Sequence, residues 1–119
     1  MPLPMLAQLV DDVVATKFVL DKPRMMIGRH PESDIQINEI AVSGQHAILE
    51  VEQNAFLDDV VDVYITDNGS TNGTFVNDLP VKGRQRLNNN DIVRIAWHTF
   101  QFIEDINGEL EKTAYTLDS

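Results

Sequence analysis

Apolar residues in this chain recur at every second position or in short β-branched runs, and no segment sustains the three-to-four spacing of a helix face. The segments AQLV, TKFVL, RMMIG, DIQI, HAILEVEQ, VVDVYITD, TFVN, DIVRIAW and TFQFIED read as strands. Between them stand DKP, HPES, DNGSTNG, NDLP, KGR and NNND, rich in residues that tolerate turns. Short strands punctuated roughly every 8 to 12 residues predict an all-β fold, an antiparallel β-sandwich or barrel. DDVVATKFVLDK could be forced onto a helical face, but its Val, Thr and Phe content favours a strand. Residues 38 to 45, NEIAVSGQ, are too long for a tight hairpin and read as a loop entering the strand that follows. After FIED the alternation stops, so residues 5–105 are expected to form the domain and residues 106–119 a flexible tail.

Bulk properties narrow the function. A chain of 119 residues fits one domain with a real core. It has no apolar run near the roughly 20 residues of a membrane-spanning helix, and MPLPMLAQLV lacks the basic start of a secretory signal. Without cysteine it holds neither a disulfide nor a thiolate metal site, which fits a soluble cytoplasmic protein. Nineteen acids against 9 bases give a net charge of -10, which argues against general binding to nucleic acid or an anionic membrane. Screening cuts exposed charges off beyond about 8 Å, so a local cluster of bases could still hold an anion.

Three stretches carry candidate chemistry: IGRHPESDIQI, VSGQHAIL and ITDNGSTNGTFVN. Each has a plain reading. Arg29 after Gly28 can be a solvated arginine at a strand end, Ser43 and His46 a loop serine and a buried histidine, and TNG a hairpin turn. Ser43, His46 and Asp67 are also the residue types of a hydrolase triad. There is no GxSxG elbow, however, and two residues three apart point to opposite faces of an extended chain. The histidines at 30, 46 and 98 lack metal-ligand spacing, so neither an enzyme nor a metal or other cofactor is expected.

In this order and at these separations, the GR, the SxxH, the STNGTFVN and the later NNNDIVRIAW with FQFI resemble the forkhead-associated (FHA) domain, a phosphothreonine-binding β-sandwich. The resemblance covers roughly residues 5 to 105. It implies a sandwich of the FHA type with its binding loops at one end. It implies that Arg29 contacts the phosphate, that Ser43 donates its hydroxyl to another phosphate oxygen, that Thr71 adds a third contact, and that Asn72 bonds the peptide main chain. Gly28 and His46 become scaffold: Gly28 lets the chain turn so that Arg29 projects, and His46 braces the loops from beneath. Gly69 and Gly73, with Ser70 between them, shape the loop, and Phe75 anchors the next strand in the core. Asp91 matches the family's acidic residue before a late strand, preceded here by Asn90, which tolerates the left-handed conformation where the family has glycine.

The ligand chemistry fits these residue types. A phosphothreonine carries about -1.5 to -2 charge and three strong acceptors, so it needs converging donors. A guanidinium supplies permanent charge and two bonds at once. The family usually places a side-chain donor directly after the serine, where this chain has Gly44. That leaves a main-chain N–H at the position and removes a bond worth about 1.5 to 3 kcal/mol. Lys82 and Arg84 could add positive potential if their hairpin lies near the loops, and otherwise are surface charges.

The expected function is therefore recognition of a threonine-phosphorylated partner protein, in signalling or regulated assembly. The alternative is a scaffold of the same fold that binds a partner, or itself, without phosphate, which the acidic balance and Gly44 favour. The tail adds Thr113 and Thr116, which are plain residues of a flexible end or, once phosphorylated, sites that dock on this domain or a second copy and self-associate.

Overall fold

Turn chemistry sets the strand boundaries in the computed structural model, which describes residues 3–57 and 60–104. The eleven strands are β1 (Met5–Val10), β2 (Val13–Val19), β3 (Arg24–Gly28), β4 (Ile35–Gln36), β5 (Ala47–Gln53), β6 (Val61–Asp67), β7 (Thr74–Val76), β8 (Leu79–Pro80), β9 (Arg84–Arg86), β10 (Ile92–Ile95) and β11 (His98–Ile103). Asp11 and Asp12 close the β1–β2 hairpin at φ of 52° and 64°, and Asn77 and Asp78 close β7–β8 at 50° and 69°. Two successive left-handed residues match the right-handed twist of the flanking strands. Asn90 has a φ of 73°, the conformation expected of it, and Asp91 accepts hydrogen bonds from Asn77 Nδ2 and the Asn88 N–H.

Two sheets result. One has the order β2-β1-β11-β10-β7-β8 and the other β4-β3-β5-β6-β9. Among the described residues every strand pairing is antiparallel except that of β3 with β4. Period-two alternation turns one face of each sheet inward, and Leu6, Phe100, Phe102 and Ile95 of the first sheet meet Ile27, Ile35, Leu49 and Ile65 of the second in one buried core. Full burial of each such side chain stabilises the fold by roughly 1.5 to 3 kcal/mol.

The nine apolar segments fall on β1 to β7, β10 and β11. The short strand β8 falls within NDLP and β9 begins at the last residue of KGR, and neither carries the apolar alternation that signals a strand. Phe75 corrects a sequence-based expectation. Thr74 and Val76 face the core, whereas Phe75 points outward, its ring 3.9 Å beneath the Arg94 guanidinium. Residues 106–119, with Thr113 and Thr116, lie outside the described residues.

The register brings four loops to one end. Ala47 at the start of β5 pairs with Ile27 near the end of β3 and with Asp67 at the end of β6. In the other sheet Thr74, which opens β7, pairs with Ile95, which closes β10. The loops after β3, before β5, after β6 and between β10 and β11 therefore share that end of the sandwich.

Candidate functional site

Gly28 is where the loops first meet. It is the last residue of extended β3, and a Cβ there would fall 2.1 Å from the Gly44 carbonyl oxygen. Glycine is required by this close main-chain approach, which replaces the turn expected from sequence. It lets the Arg29 N–H donate to Ser43 O at 3.0 Å and the His30 N–H to Gly44 O at 3.1 Å. Arg29 is thereby tied to the serine loop by its own main chain. Its Nε donates to Val42 O at 3.1 Å, while its terminal nitrogens have no partner among the described residues. The guanidinium is oriented, exposed and free to bond an anion through its outer edge.

Ser43 sits between that arginine and the β6–β7 loop. Its Oγ accepts the Thr71 N–H at 3.1 Å, leaving the hydroxyl hydrogen to donate elsewhere. Thr71 is exposed at the loop tip, and Asn72 Nδ2 donates to Ala41 O at 2.7 Å. Arg29 and Thr71 are thus each bonded directly to Ser43, and Asn72 is held to the same loop through Ala41. Gly44 lies beside them with open space where a side chain would project and no left-handed φ.

Beneath the loops, His46 is fully buried. The chain does not stay extended from Ser43 to His46 but turns at residues 44 and 45, which folds the imidazole back. Nδ1 accepts the Ser43 N–H at 3.1 Å, so Nε2 carries the hydrogen and donates to Gly73 O at 2.8 Å. One ring thus pins the serine loop to the β6–β7 loop. The triad reading fails on this geometry: the imidazole engages the Ser43 main chain, and Asp67 is engaged elsewhere.

Asp67 organises the β6–β7 loop. Its Oδ2 accepts the Gly69 and Ser70 N–H groups at 3.0 and 3.1 Å, and its Oδ1 accepts the hydroxyls of Ser70 and Thr74. Ser70 Oγ in turn accepts the Gly73 N–H at 3.0 Å. Burial works against the charge, but the donors from Ser70, Thr74 and Gly69 outweigh it and hold the carboxyl below its ordinary range. Gly69 and Gly73 supply φ of 73° and 87°. A Cβ at Gly73 would also strike the Phe75 ring at 2.7 Å.

Two residues of the site had no role assigned from sequence. The support given by Asp67 is legible in DNGS, since an aspartate often bonds N–H groups two and three residues on. Glu39 is not legible: its carboxylate accepts the Ala41 N–H within its own loop and the Trp97 indole N–H, at 2.9 Å, from the β10–β11 turn. Only the fold brings residues 39 and 97 together. The Ala41 N–H leads the hydrogen bonds that keep the Glu39 carboxyl below its ordinary range. Arg84 adds no free charge to the site, because it pairs with Glu50 and Glu52 and stacks 3.6 Å over the Tyr64 ring. Among the described residues no group of three His, Asp or Glu could hold a metal ion.

An oriented guanidinium, a hydroxyl with a free hydrogen and an exposed threonine, borne on loops at one end of a two-sheet sandwich, give the molecule the form of a loop-borne binding module. A family model described as the FHA domain matches residues 25–96. This chain belongs to the FHA domain family. It is 41% identical over 88 residues to an oxoglutarate dehydrogenase inhibitor of Corynebacterium diphtheriae, covering 74% of this chain and 56% of that protein. It is equally similar to the glycogen accumulation regulator GarA of Mycolicibacterium smegmatis, with 74% and 51% covered. The chain spans about half the length of these curated relatives. Among solved structures, the yeast Dun1 FHA domain in complex with a doubly phosphorylated peptide superposes with a TM-score of 0.72 at 26% identity, covering 87% of this chain and 74% of that one. The FHA domain of the CT664 protein from Chlamydia trachomatis gives 0.72 at 25% identity, with 85% and 96% covered.

Proposed function

We propose that residues 5–105 form a reader of phosphothreonine in a partner protein, acting by reversible binding and not by catalysis. The observation that carries this reading is the joining of Arg29, Ser43 and Thr71. The Arg29 N–H bonds Ser43 O and the Thr71 N–H bonds Ser43 Oγ, and the guanidinium's terminal nitrogens have no partner among the described residues. Arg29 takes the phosphate charge, the Ser43 hydroxyl and Thr71 take the remaining oxygens, and the Gly44 N–H offers a main-chain donor. Asn72, whose Nδ2 is held by Ala41 O, presents its Oδ1 to the peptide main chain. Gly28, His46, Gly69, Ser70 and Gly73 hold the loops in place.

Each bond to the charged phosphate contributes about 1.5 to 3 kcal/mol, and ordering a flexible peptide costs about 2 to 5 kcal/mol. Three or four such bonds leave an affinity on the order of micromolar, suited to a reversible signal. The relatives named as an inhibitor and a regulator support a regulatory role. Among the described residues no helix is long and apolar enough to cross a membrane. Titrating phosphothreonine peptides beside their unphosphorylated twins tests the reading. Binding of the phosphorylated form alone is expected, and equal binding of both forms would instead favour the phosphate-independent scaffold.

A further inference from the structure

Apolar surface borders the loop end of the sandwich. Ile40 is 87% exposed, Val13 66%, Trp97 62% and Val10 53%. Single exposed apolar side chains are ordinary, but these sit on adjoining turns. Ala96 donates its N–H to Gly73 O at 3.0 Å, so Trp97 is one residue beyond a direct bond to the residue after Asn72. Ile40 lies between Glu39, which holds the Trp97 indole N–H, and Ala41, whose carbonyl holds Asn72. On the other side, Leu9 pairs with Thr99 and Val10 with Val13. The Leu9–Thr99 pair ends the β1–β11 register, so the β1–β2 turn, flanked by Val10 and Val13, stands at the same end of the sheet as the β10–β11 turn that carries Trp97.

Trp97 is presented with some backbone strain. Ala96, buried and not glycine, holds a φ of 54°, a left-handed conformation that L residues rarely adopt. The indole N–H is also fixed to Glu39 rather than left to solvent. Beyond the valines, the exposed Asp11 and Asp12 form the β1–β2 tip.

We infer that Ile40, Trp97, Val10 and Val13 form an apolar ridge that continues the phosphothreonine site and takes apolar side chains of the same phosphorylated partner, with basic residues of that partner opposite Asp11 and Asp12. The inference rests on the phosphothreonine reading above. An extended peptide advances about 3.3 Å per residue, so one leaving Asn72 reaches Trp97 within about three residues and the β1–β2 turn a few residues later. Two observations choose this occupant. The ridge is continuous with the site through the Gly73–Ala96 and Glu39–Trp97 bonds. Its acidic end, on a chain of net charge -10, suits a basic partner and disfavours a second copy of itself.

The test compares two phosphothreonine peptides, one flanked by Leu and Ile followed by Lys and the other by Gly and Ser, titrated against the full chain, Trp97→Ser, Val13→Ser and the double variant Asp11→Asn with Asp12→Asn. Wild type is expected to prefer the first peptide by tenfold or more. Trp97→Ser and Val13→Ser should bring the ratio towards one, and the aspartate variant should remove the part that lysine adds. No preference in wild type, or one unchanged in both apolar variants, overturns the ridge. A change of oligomeric state in place of a change in the ratio assigns it to a second copy and likewise overturns it. Unphosphorylated versions of both peptides separate failure of the ridge from failure of the phosphothreonine reading, because only the latter predicts binding that ignores the phosphate.

Discussion

Gly28 and Gly44 touch main chain to main chain, with 2.1 Å between the Gly44 oxygen and the point where a Gly28 side chain would begin. Because the obstructing atom belongs to the backbone, no rotamer relieves the clash. Gly28→Ala is expected to lose about 3 kcal/mol of stability, at the upper end of overpacking costs, and to bind phosphothreonine peptides far more weakly. Thermal denaturation and peptide titration read both effects.

The same contact makes opposite predictions for its two partners. A Cβ at Gly44 meets nothing within 4 Å, and the residue needs no left-handed φ. Gly44→Arg or Gly44→Asn should therefore fold normally and restore a side-chain donor beside the phosphate. One bond of about 1.5 to 3 kcal/mol corresponds to a ten- to hundredfold gain in affinity. Unaltered affinity in a normally folded variant would place the phosphate away from residue 44.

His46 links the serine loop to Gly73 with both ring nitrogens, in full burial. Replacing it by Ala opens a cavity, leaves the Ser43 N–H without its partner and leaves the Gly73 carbonyl with the Ala96 N–H as its remaining donor. A loss of about 3 kcal/mol is expected, together with weaker binding from both loops. Chemical denaturation checks the first and peptide titration the second, and hydrogen exchange at the Ser43 amide reads the lost bond through lost protection.

Asp67 gives the site an acid limit. Its folded carboxyl is held below the ordinary aspartate value of 3.8, so the folded state binds fewer protons than the unfolded chain as pH falls. The stabilisation is present above that value and disappears as pH drops through the lower folded one. Denaturant midpoints measured across this window should fall more steeply for wild type than for Asp67→Asn. The variant should already be less stable at neutral pH.

What sequence could and could not reveal follows from how local each interaction is. The strands β5 and β6 were legible because alternation is a property of neighbouring residues, and the loop glycines because Gly69 and Gly73 adopt conformations that favour glycine. Arg29, Ser43, Thr71 and Asn72 are named by the family resemblance, and the bonds of Arg29 and Thr71 to Ser43 and of Asn72 to Ala41 needed the fold. Phe75 was misjudged because a three-residue strand gives too short an alternation to tell its two faces apart. At Gly28 the sequence shows a turn-prone residue but not the Gly44 carbonyl oxygen pressed against it, which is what requires glycine there. The bond between Glu39 and Trp97 spans 58 positions, and neither residue's local context signals it.

Whether an oriented Arg29 holds the phosphate is measured most directly by calorimetric titration of one phosphothreonine peptide into wild type and Arg29→Ala. Among the described residues the Arg29 side chain makes one hydrogen bond, to Val42 O, and its main-chain bond to Ser43 O survives in the variant, so the variant should fold. Micromolar binding by wild type and no detectable heat with a normally folded Arg29→Ala is the predicted result. Equal affinity for the two proteins would contradict it.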